Sequence, residues 1–206
     1  MHYTYIYSLR PHPSYAHSVV NFTLNMVGGT NGGPVTNTTW SKSFHGDSEI
    51  EADKYQLCAR TLEPNFGIGT YQWVNFTSCL NGYAGIEICV LGYLPGDIQA
   101  AAKVCAEATG FSPSALDACV NGDIGTALYK KSVFYTSDEI AAKRVPEYGT
   151  GKDQGIPIMR INGVVHDGPT GAYWELGEAI CKAAGGGAPK DCGCLKPACD
   201  HPAGKY

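Results

Sequence analysis

The stretch Ile156-Pro-Ile-Met-Arg-Ile-Asn-Gly163-Val-Val165 decides the fold that we predict for this chain. Apolar and β-branched residues flank an Asn-Gly pair, which is the strongest short-range signal for a two-residue hairpin turn. We therefore predict two antiparallel strands that meet at Asn162-Gly163. Pro157 has two interpretations: a cis-proline beside a functional turn, or an ordinary proline at the first residue of an edge strand.

The hairpin lies near the end of a chain that begins with a strand and is mostly helical in its middle. Besides the hairpin, strands are predicted at residues 3–9 and 35–44. Helices are predicted at residues 14–27, 48–62, 71–81, 96–109, 113–120, 123–136 and 170–184, from apolar spacing and from capping and breaking residues. The order strand, helix, strand, helical segment, hairpin and helix predicts an α/β, thioredoxin-like fold.

The predicted domain organisation follows from the same order of elements. Residues 1–184 are expected to form a single thioredoxin-like domain, with a disulfide-rich helical insertion at about 46–122. Residues 185–206 hold three cysteines and few apolar residues, and they are expected to form a C-terminal tail.

Composition narrows the possible partners. The 206 residues carry a net charge of −4, and only 17% of them are charged. A mildly acidic chain without basic runs argues against nucleic acid and anionic membranes as partners. No apolar run approaches the roughly 20 residues that span a bilayer. We expect other protein chains as partners, no transmembrane segment and no cofactor.

Nine cysteines favour an oxidising compartment, where disulfides persist. Three acceptor patterns for N-glycosylation begin at Asn21, Asn37 and Asn75. We therefore predict a secretory-pathway protein, extracellular or in a lysosomal lumen. A signal peptide is not present in this chain, so the numbering starts after a removed leader, or the gene model is incomplete, or the protein is cytosolic. Because nine is odd, at least one cysteine is free, bound to metal or paired with another chain.

The segment from Ser43 to Cys58 resembles the signature Cys-Gln-His-Gly-X2-Glu-Cys-X2-Asn-X4-Cys of the gamma-interferon-inducible lysosomal thiol reductase family. Four positions match in register: His45, Gly46, Glu49 and Cys58. Asp53 stands where the family has Asn, and Ser43 and Ile50 replace the two other cysteines. The resemblance implies that these two positions pair in the family and were lost together. Glu49 is either a functional acid or a carboxylate that the helix dipole favours, and His45 is either catalytic or a structural hydrogen-bonding residue.

Other segments resemble the same family in the same order. Residues 119–128 resemble its Cys-X2-Gly-X2-Gly-X2-Leu stretch with a shift of one residue, and 156–163 resemble its Val-Pro-Trp-X3-Asn-Gly hairpin. The resemblance also implies that Cys181 and Cys192 form a closing disulfide. Cys58, Cys79, Cys105 and Cys119 are expected to form disulfides too, in any of three pairings.

The resemblance implies a lost activity. The family reduces disulfides with a Cys-X-X-Cys after its first strand, where one thiolate attacks and the second resolves the mixed disulfide. In register, Arg10 and Pro13 replace these cysteines. The chain is therefore expected to be a redox-inactive relative that serves as a structural or binding protein, as a subunit of a larger assembly. The alternative is a thiol oxidoreductase that uses Cys194, Cys199 or a partner's thiol.

Three further sites have open interpretations. Residues 192–201 contain three cysteines and His201, and they have three interpretations: a zinc site, a Cys-X-Cys redox pair or a tail held by disulfides. We expect the disulfide-bonded tail, and therefore no metal. Arg10, with His12 and His17, is an anion site at a helix start or a solvated turn. Cys89 is extra to the family pattern, and it could clip the tail onto the helical segment.

Overall fold

Five helices and one short hairpin make up the part of the chain that the structure describes. This computed structural model describes residues 25–26, 28, 35–43, 46–63, 72–90, 97–144, 159–161 and 164–166, with the backbone alone at 82–90 and in both strands. The elements are α1 (Asp47–Leu62), α2 (Gln72–Val90), α3 (Asp97–Thr109), α4 (Pro113–Asn121), α5 (Asp123–Ala141), β1 (Met159–Ile161) and β2 (Val164–His166).

Helix α1 is the centre of the bundle, because it contacts all four of the other helices. Its apolar positions, such as Tyr55 and Cys58, are almost completely buried. Phe76 and Leu80 of α2, with Tyr129 and Val133 of α5, complete the packing without any exposed surface. Burial of such large apolar side chains is the main favourable term in folding, so the helices hold together through a core of their own.

Two disulfides join the helices in this core. Cys58 of α1 bonds to Cys119 of α4, with 6.0 Å between the Cα atoms. Cys79 of α2 bonds to Cys105 of α3, with 5.7 Å between the Cα atoms. The prediction that these four cysteines are disulfide-bonded is confirmed, and the structure selects one of the three pairings that the sequence left open.

Local hydrogen bonds set the helix ends. Gly110 follows α3 with a φ of 82°, and Phe111 N–H donates to the Ala106 carbonyl at 2.9 Å, as in a Schellman motif. Ser112 is the N-cap of α4, and its hydroxyl accepts from Ala115 N–H at 3.3 Å. The backbone therefore turns within the three residues 110–112 between α3 and α4.

The predicted α/β, thioredoxin-like fold is wrong for the described part of the chain. There, the paired strands are β1 and β2 alone, in an antiparallel hairpin in which Ile161 faces Val164. The hairpin lies where the sequence predicted it, but two short strands do not form the sheet on which such a fold is built. The physical reason is that the helices bury their apolar faces against one another, and α5 packs on α1 and α4 rather than on a sheet.

The predicted second strand, residues 35–44, is also wrong. Residues 37–41 form a turn in which Trp40 N–H donates to the Thr36 carbonyl at 3.1 Å. Threonines usually favour strands, but here the Thr39 hydroxyl accepts from Thr36 N–H at 2.8 Å. Such side-chain to backbone bonds compete with strand pairing, and they outweigh the β-propensity of this stretch.

The predicted helix bounds agree best for the shorter helices. Helices α1, α3 and α4 start and end within one residue of prediction, whereas α2 and α5 extend nine and five residues beyond their predicted ends. Asn25 and Met26, placed at the end of the helix predicted from Ser14, are not helical. Met26 is instead fully buried, and its N–H donates to the Ser132 hydroxyl of α5 at 2.7 Å.

Candidate functional site on the first helix

The N-terminus of α1 carries the signature residues. Gly46 is the N-cap, with a φ of 84°, a conformation that residues with a Cβ rarely adopt. A Cβ at Gly46 would meet no atom within 4 Å. The backbone conformation, not the space around it, therefore requires glycine at this position. Glu49 lies in the first turn of α1, where the helix dipole favours a carboxylate.

Asp53 lies one turn after Glu49 on the same face of α1 and is only 7% exposed. Burial, and secondly the charge of Glu49, raise the pKa of the Asp53 carboxyl well above the usual value of an aspartate. The buried position therefore favours the neutral form of this carboxyl over its charged form.

Tyr129 of α5 completes this buried polar site. The side chain is fully buried, and its hydroxyl has no hydrogen-bond partner among the described residues. Burial raises the pKa of the Tyr129 hydroxyl, and the charges of Asp53 and Glu49 add to this effect. The Trp40 ring lies tilted against the Tyr129 ring, with 6.3 Å between their centroids. We name Glu49, Asp53 and Tyr129 the acid–tyrosine cluster.

The acid–tyrosine cluster consists of two carboxyl groups and one phenol, so none of its three members is a nucleophilic thiol. Burial raises the pKa of both the Asp53 carboxyl and the Tyr129 hydroxyl, which favours their protonated forms. Among the described residues, no group of three or more His, Cys, Asp or Glu side chains could hold a metal ion. The contribution of this arrangement to the stability of the folded protein therefore depends on pH.

A second link between α1 and its neighbours is polar as well. The Tyr55 hydroxyl donates to Asp117 Oδ1 of α4 at 2.6 Å, and Lys54 Nζ donates to Thr126 Oγ1 of α5 at 3.2 Å. Burial, with Asp117 next in importance, raises the pKa of the Tyr55 hydroxyl. Helix α1 is thus linked to α4 and to α5 by hydrogen bonds that each include a charged group.

The four cysteines whose side chains are described are all consumed in disulfides. Cys58 and Cys105 are fully buried, and Cys119 is 5% exposed. A thiolate must be accessible in order to attack a substrate disulfide. These four positions therefore offer no exchangeable thiol while the bundle is folded and oxidised.

The surface beside the cluster combines aromatic rings with a cation. Lys130 Nζ lies 5.4 Å from the centroid of the Trp40 ring and 5.9 Å from that of Phe134. On the same helix, Ile124 is 60% exposed and Tyr135 is 48% exposed. Their separation corresponds to about three turns, so the two side chains share one face of α5.

Several residues singled out in the sequence lie outside the described part. These are Arg10, His12, Pro13, His17, Asn21, His45, Pro157, Cys181, Cys192, Cys194, Cys199 and His201. Cys89 lies on α2, where the backbone alone is described. Of the glycosylation candidates, Asn37 is exposed in the turn at 37–41, and Asn75 is exposed on α2. The two positions that replace family cysteines are partly buried: Ile50 packs against the core, and the Ser43 hydroxyl is buried without a hydrogen-bond partner in the described part.

Sequence reasoning did not find Tyr129 or Trp40. One signal for Tyr129 was present, because Gly125, Tyr129 and Val133 recur every four residues and mark the buried face of α5. Trp40 carried no such signal, since it lies in the stretch predicted as a strand.

Comparisons with protein-family models, with curated proteins and with solved structures find no match for this chain. The class that the described residues define is a five-helix bundle joined by two disulfides. No helix among the described residues is long and apolar enough to cross a membrane.

Proposed function

We propose that the protein is a redox-inactive relative of the gamma-interferon-inducible lysosomal thiol reductases, and that it serves as a structural or binding protein in a luminal or extracellular setting. The relationship rests on the residues from Ser43 to Cys58 and on the order of the other matching segments. The proposed relationship does not depend on the presence of a thioredoxin-type sheet.

The observation that carries the proposal is the state of the cysteines. Both disulfides cross between helices of the core, and each closes a long loop of chain. Disulfides of this kind stabilise small proteins in oxidising compartments. Arg10 and Pro13 cannot act as a dithiol. Together with the two disulfides, they favour a structural role for the cysteines of this protein over a catalytic role.

The burial of the signature residues supports the same conclusion. Asp53 lies inside the bundle, and Cys58 is bonded to α4. Residues that act on a substrate must be reachable from solvent or from a cleft. The part of the signature that the structure describes therefore supports folding of α1, whatever function the family assigns to it.

The binding aspect of the proposal is supported by the surface of α5. Ile124 and Tyr135 are exposed on one face, and tyrosine is among the residues that contribute most to protein–protein interfaces. The low content of charged residues agrees with a surface that contacts other chains.

An insulin-reduction assay tests the proposal. The oxidised full-length chain is mixed with insulin and dithiothreitol, and precipitation of the insulin B chain is followed beside a known dithiol reductase. We expect the rate to equal that of dithiothreitol alone, because the sequence contains no Cys-X-X-Cys pair for disulfide exchange. In parallel, native alkylation followed by intact-mass measurement counts the free thiols.

Catalysed insulin reduction would contradict the proposal. The double variant Cys194→Ser with Cys199→Ser shows where such activity would come from: loss of turnover in this variant establishes the tail-thiol oxidoreductase in place of the inert relative. Turnover that survives in this variant would refute both interpretations.

A further inference from the structure

The acceptor pattern Asn75-Phe76-Thr77 lies on α2 in an arrangement that a glycosylating enzyme cannot use once the protein has folded. N-glycosylation joins Asn Nδ2 to C1 of a sugar, breaks the bond between C1 and a lipid-linked pyrophosphate, and releases one proton from the amide to solvent. The enzyme requires the hydroxyl two residues after the asparagine as well as the amide itself, so both must be accessible together.

Helix geometry separates these two groups. Residues two apart on an α-helix point about 200° away from each other. Accordingly, Asn75 is exposed, whereas Phe76 and Thr77 are fully buried. The Phe76 ring packs edge-on against Phe111, with 5.7 Å between the centroids. Thr77 can therefore be reached only when α2 is detached from the core.

The Thr77 hydroxyl also has no role that the fold explains. It is buried and has no hydrogen-bond partner among the described residues. A buried hydroxyl without a partner is unfavourable compared with a methyl group at the same place. Before folding, this hydroxyl can serve as the group by which a glycosylating enzyme recognises the acceptor pattern.

Formation of the disulfide between α2 and α3 ends the period in which a glycosylating enzyme can reach Thr77. Cys79 lies two residues after Thr77, and its bond to Cys105 ties α2 to α3. Gln72, at the start of α2, is fixed as well: its side-chain amide donates to the Thr109 carbonyl at 2.7 Å, and its N–H donates to Glu63 Oε1 at 2.8 Å. Closure of the Cys79–Cys105 bond thus holds Thr77 in the core.

Asn37 offers a contrast within the same chain. It lies in an exposed turn, and Thr38 beside it is exposed. The Thr39 hydroxyl makes local hydrogen bonds to Thr36 within the same turn. Modification of Asn37 requires no helix of the bundle to detach.

We propose that Asn75 is an N-glycosylation site that accepts its glycan only before the Cys79–Cys105 disulfide closes, whereas Asn37 accepts one whether or not the bundle has folded. The glycan at Asn75 is compatible with the final structure because this side chain faces solvent. The inference rests on the luminal setting of the proposed function.

Purified oligosaccharyltransferase with a lipid-linked oligosaccharide tests the inference on full-length chain made without glycans. One sample is folded and oxidised, and the other is reduced and alkylated. Peptide mass spectrometry measures occupancy at each site. We expect Asn37 to be modified in both samples, and modification of Asn75 to be lost in the folded sample.

Variants made in secretory cells test the role of the disulfide, with occupancy measured on whole lysate so that misfolded chains are counted. The pair Cys79→Ala with Cys105→Ala should raise occupancy at Asn75 and leave Asn37 unchanged. The matched pair Cys58→Ala with Cys119→Ala, which leaves α2 tied to α3, should raise occupancy at Asn75 less.

Three results would overturn the inference: equal modification of Asn75 in the folded and the unfolded chain, no modification of Asn75 in either, or loss of Asn37 modification on folding. An equal rise in Asn75 occupancy in both cysteine pairs would remove the role of the Cys79–Cys105 bond. These readouts are independent of insulin reduction, so failure of this inference is distinguishable from failure of the proposed function.

Discussion

The two disulfides should contribute unequally to stability, because they close loops of different length. Cys58 and Cys119 are 61 residues apart, and Cys79 and Cys105 are 26 apart. We consider replacement of each pair by alanine, which leaves neither a free thiol nor a buried hydroxyl behind. Each double variant removes one constraint from the unfolded chain and keeps the other.

The magnitude follows from the entropy of loop closure. For the 61-residue separation the chain-entropy relation gives about 4.3 kcal/mol at 25 °C, and for the 26-residue separation it gives about 3.5 kcal/mol. Loss of either bond would remove a large part of the roughly 5–15 kcal/mol that stabilises a typical domain. We expect Cys58→Ala with Cys119→Ala to be the less stable variant, by about 0.8 kcal/mol.

Urea unfolding followed by circular dichroism measures both effects. It should be carried out at acidic pH, where few thiols are ionised and disulfide exchange is slow. The dependence of the unfolding free energy on urea should increase in both variants, since an unfolded chain with one cross-link fewer exposes more surface. A larger loss for the Cys79–Cys105 pair, or losses below about 1 kcal/mol for both pairs, would refute the loop-entropy reasoning.

Three other variants test separate parts of the molecule. The folded state raises the pKa of Asp53 above its value in the unfolded chain, which is about 3.9. The stabilising contribution of the protonated carboxyl is therefore complete below that unfolded pKa, and it is lost as the pH rises through the folded pKa. Asp53→Asn should therefore be more stable than the parent at neutral pH, and the advantage should shrink toward acidic pH in urea titrations; parallel pH profiles would contradict this. Thr77→Val, which replaces a buried hydroxyl without a partner among the described residues, should stabilise the protein by about 1–3 kcal/mol in thermal or urea unfolding. A destabilised variant would show that the hydroxyl has a partner. Ser43→Cys with Ile50→Cys should form an additional disulfide at the start of α1 if the thiol reductase register is right. Native alkylation should then count no more free thiols than in the parent; two additional labels would argue against that register.

Local patterns were sufficient to predict much of the helical part. The apolar spacing of α1 and α3 and the proline at the start of α4 mark helices whose ends agree with prediction to within one residue. The Asn162-Gly163 turn placed the hairpin correctly. These features depend on the neighbouring few residues, and periodicity and capping describe them adequately.

The fold class could not be predicted in the same way. Residues 35–44 have the composition of a strand, but Thr39 bonds locally to Thr36 and Trp40 packs beside Tyr129. The order of elements suggested a sheet with a helical insertion, whereas the helices form the core themselves. The order of the elements along the chain does not determine which helix faces pack against each other.

The sequence by itself determined that the chain is rich in cysteine, poor in charge, without paired thiols at Arg10 and Pro13, and helical through its middle. Only the tertiary structure decided which cysteines bond, that Asp53 lies inside beside Tyr129, and that Asn75 and Thr77 face opposite sides of α2. Disulfide pairing, burial and pKa depend on distances between residues far apart in the chain. Those distances are set by how the helix faces pack, and no local pattern of residues contains them.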